Sequence, residues 1–156
     1  MGAWRGVRAA AVSYTFDDNS PNQFLKAQSM LDAKRFKATS FCIVGNLTPT
    51  QWSTIQNCAA HGHEVSSHTL SYPDLTKSSQ SQLIDEELNS KNLIQSHTGH
   101  NCVSLAYPYC TVPSESTTSQ YYTFVRSCNG SLVSSSPSDM LAIGALGPDS
   151  TVVSTA

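Results

Sequence analysis

The chain has 156 residues, a formal net charge of −2 and only 13% charged residues, while Ser and Thr together supply about a quarter of it. That length supports one hydrophobic core, so a single domain over residues 1–156 is expected. No run of Lys or Arg exists to grip nucleic acid, and the longest aliphatic run, Ala9–Val12, is far too short to cross a membrane.

Short β-prone runs alternate with amphipathic stretches along the whole chain. Residues 9–15 (AAAVSYT) predict a first strand ending at Phe16-Asp17-Asp18. After Pro21, the spacing of Phe24, Ala27 and Leu31 predicts a helix with one inner face. Residues 38–44 (ATSFCIV) predict the second strand, stopped by Gly45. Thr48 or Thr50 can cap the next helix, with Pro49 in its first turn and Trp52, Ile55 and Ala59 on one side. Glu64–Ser67 is a short third strand running into His68. The longest helix starts at Ser79 or Ser81, carries Leu83, Ile84, Leu88 and Ile94 as its stripe, and ends at Gly99. Residues 102–106, 122–127 and 141–145 predict strands four to six. Strands alternating with helices make a parallel sheet, buried on both sides. Six in a row without a change of order point to a barrel-like α/β fold over a doubly wound sheet.

In such folds chemistry collects on the loops after the strands. Asp17 and Asp18 follow strand one, His68 follows strand three, and Tyr107, Tyr109 and Cys110 follow strand four. His61, His63, His97 and His100 precede strands and fall on the opposite face. Two adjacent carboxylates at a bend can divide the work: one binds a metal, the other takes a proton from water. Cys110 and Cys128 follow neighbouring strands on one face and are the candidate disulfide, whereas Cys42, inside strand two, is expected to be a buried thiol. Low charge, Ser/Thr richness and possible disulfides lean toward an extracellular or cell-wall-associated protein.

Thr-Phe-Asp-Asp (15–18), Gly-His-Glu-Val-Ser-Ser-His-Thr-Leu-Ser-Tyr-Pro-Asp-Leu (62–75) and Ala-Tyr-Pro-Tyr (106–109) together resemble, in identity and order, the first three motifs of the polysaccharide deacetylases, the NodB-homology enzymes of carbohydrate esterase family four. The resemblance covers roughly residues 9–130. It implies a distorted (β/α) barrel of NodB type, truncated here to about six strands. It also implies a divalent metal, zinc by preference, and removal of N- or O-acetyl groups from chitin, peptidoglycan or xylan. Carried over position by position, Asp17 is the general base, Asp18 and His68 are metal ligands, and the Tyr109 N–H helps hold the oxyanion. Tyr107 and Pro108 belong with the substrate-binding loop.

Three departures stand out. The family's second ligating histidine, four residues after the first, is Tyr72 here, so the Tyr72 oxygen or a water is expected to fill the third ligand position, and a phenol ligates zinc only after losing a high-pKa proton. The third motif's leading arginine, which orients the base, is Ala106. No histidine follows His100, so the family's late leucine-x-histidine acid has no counterpart, and neither has its late tryptophan. These gaps open a second reading, a catalytically impaired glycan-binding relative or fragment of such an enzyme. A barrel stopping at six strands also presents an open edge, which predicts either a self-associating protomer or a marginally stable fragment, and Thr151-Val152-Val153 could begin a further element.

Overall fold

The computed structural model describes residues 8–20, 22–113, 117–130 and 132–147; Pro21 and Thr151-Val152-Val153 lie outside the described residues. Strand β1 (Tyr14–Phe16) pairs in parallel with β2 (Ala38–Cys42), and the sheet continues through β3 (Glu64–Ser67), β4 (Ser104–Ala106) and β5 (Phe124–Arg126) in chain order. Each step is a parallel neighbour pairing. Crossovers between parallel strands are right-handed, so steps that all go the same way place every helix on one side. The result is an open half-barrel, the first five units of the expected NodB-type fold.

Three helices cover that side. Helix α1 spans residues 23–33, with a π turn at Gln23–Ala27 leading into Gln28–Ala33. Helix α2 (Pro49–Ala60) begins with a capping box in which the Thr48 side chain accepts from the Gln51 N–H, with Pro49 in the first turn. Helix α3 spans residues 80–98. Ser79 caps it with Gln82, a π turn at Asp85–Asn89 interrupts it, and Gly99 closes it at φ 71°. A short α4 (Thr118–Tyr121) precedes β5. Ile55 and Cys58 of α2, with Leu83 and Ile94 of α3, pack on Cys42, Val65, Leu105 and Val125 of the sheet to form the core.

Alternation sends the other half of each strand to the opposite side of the sheet, where Thr39, Phe41, Ser66, Ser104 and Ala106 are buried as well. That side also carries Glu64 and Arg126. Glu64 accepts there from the hydroxyls of Thr39 (2.8 Å) and Ser104 (2.6 Å).

Three expectations need correction. Residues 9–13 do not extend β1, which is confined to Tyr14–Phe16 in register with Ala38–Ser40 of β2. The sixth strand is reduced to a parallel bridge between Arg126 and Ile143, flanked by Val125 N–H bonded to Met140 C=O and Ser127 N–H bonded to Ile143 C=O. On α3 the deeply buried positions are Leu83, Glu87, Ser90 and Ile94, while Ile84 and Leu88 are half-buried. These four positions keep ordinary helical spacing, and the apolar reading missed two of them because polar Glu87 and Ser90 occupy inward positions.

Candidate active site

Every predicted site residue lies at the carboxyl end of the strands. The loops that carry them hold unusual backbone. Of the seven non-glycine residues with positive φ among those described, six flank these strand ends: Asp18, Asn19, Thr69, Tyr72, Tyr109 and Cys110. Such conformations cost energy and persist only where surrounding contacts enforce them.

Those contacts are visible. Asn19 reaches across to the end of β2, donating to Ile43 C=O (2.6 Å) and accepting from Ile43 N–H (3.2 Å), which fixes the bend that splays Asp17 from Asp18. Glu86 of α3 accepts from the N–H groups of Leu70 and Ser71, 2.8 Å each, and so clamps the loop after His68. Gly45 donates to Leu70 C=O at 2.7 Å, and a Cβ there would meet that oxygen at 2.5 Å, so only glycine permits the approach. Asp74 holds the far end of the same loop. Its contacts to Lys77 and Thr76 lower its pKa to about 2, and the Thr111 hydroxyl donates to it from the loop after β4 (3.4 Å).

His68 is 3% exposed. Its Nδ1 lies 2.8 Å from Ala106 C=O, which assigns the proton to Nδ1 and leaves Nε2 a lone pair. That Nε2 is 3.6 Å from Asp18 Oδ1. Burial lowers the histidine's pKa, against the opposing pull of the Ala106 carbonyl, Asp17 and Asp18, and this favours the neutral, ligating ring. Two donors 3.6 Å apart can both stand about 2.0–2.2 Å from one zinc ion, so Asp18 and His68 fit as a two-donor seat.

The third position fits less well. Tyr72 packs edge-on against His68, with ring centroids 4.9 Å apart, and also against Tyr109 at 4.8 Å. Burial raises its phenol above the ordinary value, and a backbone hydrogen bond from Tyr109 pulls the other way. The oxyanion donor expected at Tyr109 is therefore already in contact with the residue at the third ligand position. Among the described residues no three His, Cys, Asp or Glu side chains converge on one point.

Arg126 of β5 completes the site, and sequence reasoning missed it. Its Nη2 donates to Asp17 Oδ2, while Asp17 Oδ1 is buried without a hydrogen-bond partner. The signal was hidden because the two residues lie 109 positions apart. Tyr107 and Pro108 correct the expected substrate loop. Tyr107 is 2% exposed and packs in the core, and Pro108 is fully buried, because β4 runs straight into them beneath the surface. Tyr109, 59% exposed, is the ring that faces outward. The expected disulfide joins Cys110 to Cys128 with Cα atoms 5.2 Å apart, tying the Tyr109 turn to the segment after β5; Cys42 is a buried thiol, as are Cys58 and Cys102.

Comparison with known proteins identifies the family to which this fold belongs. Residues 5–124 match the family model described as polysaccharide deacetylase. A chitooligosaccharide deacetylase from Bradyrhizobium sp. (strain ANU 289) is 35% identical over 88 residues, covering 55% of this chain and 39% of its own length. A gellan lyase from Bacillus sp. is 30% identical over 129 residues, 81% of this chain but 5% of that protein. A Streptococcus pyogenes deacetylase, solved in complex with acetate, superposes with a TM-score of 0.77 at 24% identity, covering 89% of this chain and 65% of the other. The chain thus spans well under half of these two curated relatives. With the family model matched over most of its length, the chain belongs to the polysaccharide deacetylase family.

Proposed function

We propose that the chain is a metal-dependent hydrolase that removes N- or O-acetyl groups from a polysaccharide of the chitin, peptidoglycan or xylan type. The observation that carries this reading is the open Nε2 of neutral His68 facing Asp18, with the Asp17 carboxylate fixed beside them. A divalent ion, zinc by preference, would be held by Asp18 and His68 with Tyr72 adjacent, and would supply Lewis acidity toward water and the acetyl carbonyl.

The chain's own residues do the rest. Asp17 Oδ1, buried and unpartnered, takes the proton of the attacking water. The Tyr109 N–H donates to the developing oxyanion and shares that task with Tyr72, whose phenol it already touches. The exposed ring of Tyr109 offers a sugar a flat apolar face. Tyr107 and Pro108 support the turn from beneath. An extracellular or cell-wall setting belongs to the same proposal and is supported by the Cys110–Cys128 pair. Self-association through the open sheet edge belongs to it as well, and light scattering tests it.

The deciding experiment is acetate release from chitin oligomers, peptidoglycan and acetylated xylan, with zinc added and after chelation. Zinc-dependent release on one of these is the expected result. Saturable glycan binding without acetate release at any zinc concentration would establish the non-catalytic reading, which the phenol at position 72 favours.

A further inference from the structure

We propose that Arg126 is a positioning residue that divides two adjacent carboxylates between different tasks, keeping Asp17 for proton transfer and leaving Asp18 alone to the metal. The inference rests on the reading above. Asp17 and Asp18 are chain neighbours at one strand end and chemically alike. Two carboxylates beside one cation will both coordinate it unless something holds one back. The two differ in their surroundings: His68 Nε2 faces Asp18, and the Arg126 guanidinium takes Asp17 Oδ2.

The guanidinium is itself held on several sides. The Phe41 ring lies under it at 5.2 Å, and Nη1 donates to Ser127 C=O at 3.5 Å. Its strand position is directly opposite Ala106, the residue whose carbonyl anchors His68. One cross-strand pair therefore sets both halves of the site. Ala106 fixes the ring that ligates and Arg126 fixes the carboxylate that does not. Ala106 has only a methyl group, so β4 sends no charge toward Asp17 and the task falls to β5. Arginine suits it because its charge is permanent and its planar fork matches a carboxylate.

The test uses Arg126→Ala, Arg126→Lys and the exchange Ala106→Arg with Arg126→Ala, each confirmed folded by its thermal transition. Zinc alone is titrated against a chelator, and acetate release is measured as kcat and KM separately. In Arg126→Ala the freed Asp17 joins the metal, so zinc binds about fivefold tighter or more. At the same time kcat falls about 100-fold, with little change in KM, the scale of a misplaced catalytic group. Lysine restores part of kcat, and the exchange restores part of kcat and returns zinc affinity toward the parent's. Zinc binding that is unchanged or weaker in Arg126→Ala overturns the proposal, as does an unchanged kcat in an active parent. If the parent releases no acetate, the deacetylase reading falls, while zinc affinity still decides whether Arg126 withholds Asp17 from the metal.

Discussion

Strand β3 is bracketed by two histidines, His63 and His68, each 3% exposed and each beside an aspartate. At the amino end, His63 Nδ1 accepts from the Ala38 N–H (3.2 Å), and its Nε2 stands 3.2 Å from Asp32 Oδ1. Asp32 is in turn paired with Lys37. At the carboxyl end, His68 donates through Nδ1 to Ala106 and keeps Nε2 open, 3.6 Å from Asp18. The tautomers are opposite. In His63 the nitrogen with a lone pair is consumed by the backbone of β2. In His68 the proton is consumed and the lone pair is presented. Burial and a carboxylate neighbour do not distinguish a structural histidine from a ligand; which nitrogen the fold uses does.

The largest expected effect breaks this pair apart. His68→Ala should lower acetate release about a thousandfold and weaken zinc binding at least as far, because one of two well-placed donors is gone. His63→Ala should leave zinc binding within about twofold and instead cost about 1–2 kcal/mol of stability, through the orphaned Ala38 N–H. Chelator competition and urea unfolding on both variants decide it. Matched losses of zinc affinity would show that the two ends are not independent.

The next effect concerns how firmly the carboxyl end is built. The amino end is braced by ion pairs, whereas the Tyr109 turn is tied down by Cys110–Cys128 across 18 residues. Replacing both cysteines by serine should cost about 3 kcal/mol of stability. It should lower kcat more than KM, since the oxyanion donor sits next to the bridge. Equal activity after that loss of stability would free the turn from any need of the tether.

A smaller effect sharpens what separates a ligand position from a packing one. Tyr72→His adds a neutral nitrogen where a phenol now packs on His68, and should tighten zinc about tenfold, or about 1.4 kcal/mol. Unchanged affinity by chelator competition would mean that the side chain at 72 does not reach the metal.

What the sequence revealed of this arrangement was local. Thr48-Pro49 and Ser79 announced the starts of α2 and α3, and Gly99 the end of α3, because caps depend on residues within a turn. Asp17, Asp18 and His68 were legible because strand ends can be placed from short apolar runs. The Arg126–Asp17 contact was not, since it joins β5 to the end of β1 through the closing curve of the sheet. Nor was the depth of Tyr107. The strand's apolar run and the following Tyr-Pro-Tyr look continuous in sequence, and only the turn at Tyr109 (φ 55°) decides which ring goes out. The excess strand at residues 9–13 shows the same limit, because β-prone residues join a sheet only where strand pairing reaches them, and the pairing of β1 with β2 starts at Tyr14.

The smallest expected effect extends the comparison to a buried carboxylate whose two oxygens are both used by the fold. Glu87 sits in the π turn of α3, fully buried, and its two oxygens accept from the hydroxyls of Thr117 and Thr118. Burial raises its pKa, and those two hydroxyls pull the other way without prevailing. The folded state thus keeps the Glu87 proton to a higher pH than the unfolded chain does. Above the ordinary carboxyl value of about 4.3 the unfolded state loses that proton first, so this group's contribution to stability falls as pH rises toward the raised value. Glu87→Gln keeps the shape and a hydrogen-bonding amide but never ionises. It should match the parent near pH 4 and exceed it by about 0.5–1 kcal/mol near pH 7, the cost of burying a charge with neutral partners. Thermal unfolding of both proteins across that range reads the difference directly. A parent that gains on the variant as pH rises would mean that Thr117 and Thr118 stabilise the charged form outright, and that α3 owes its π turn to an ionised Glu87.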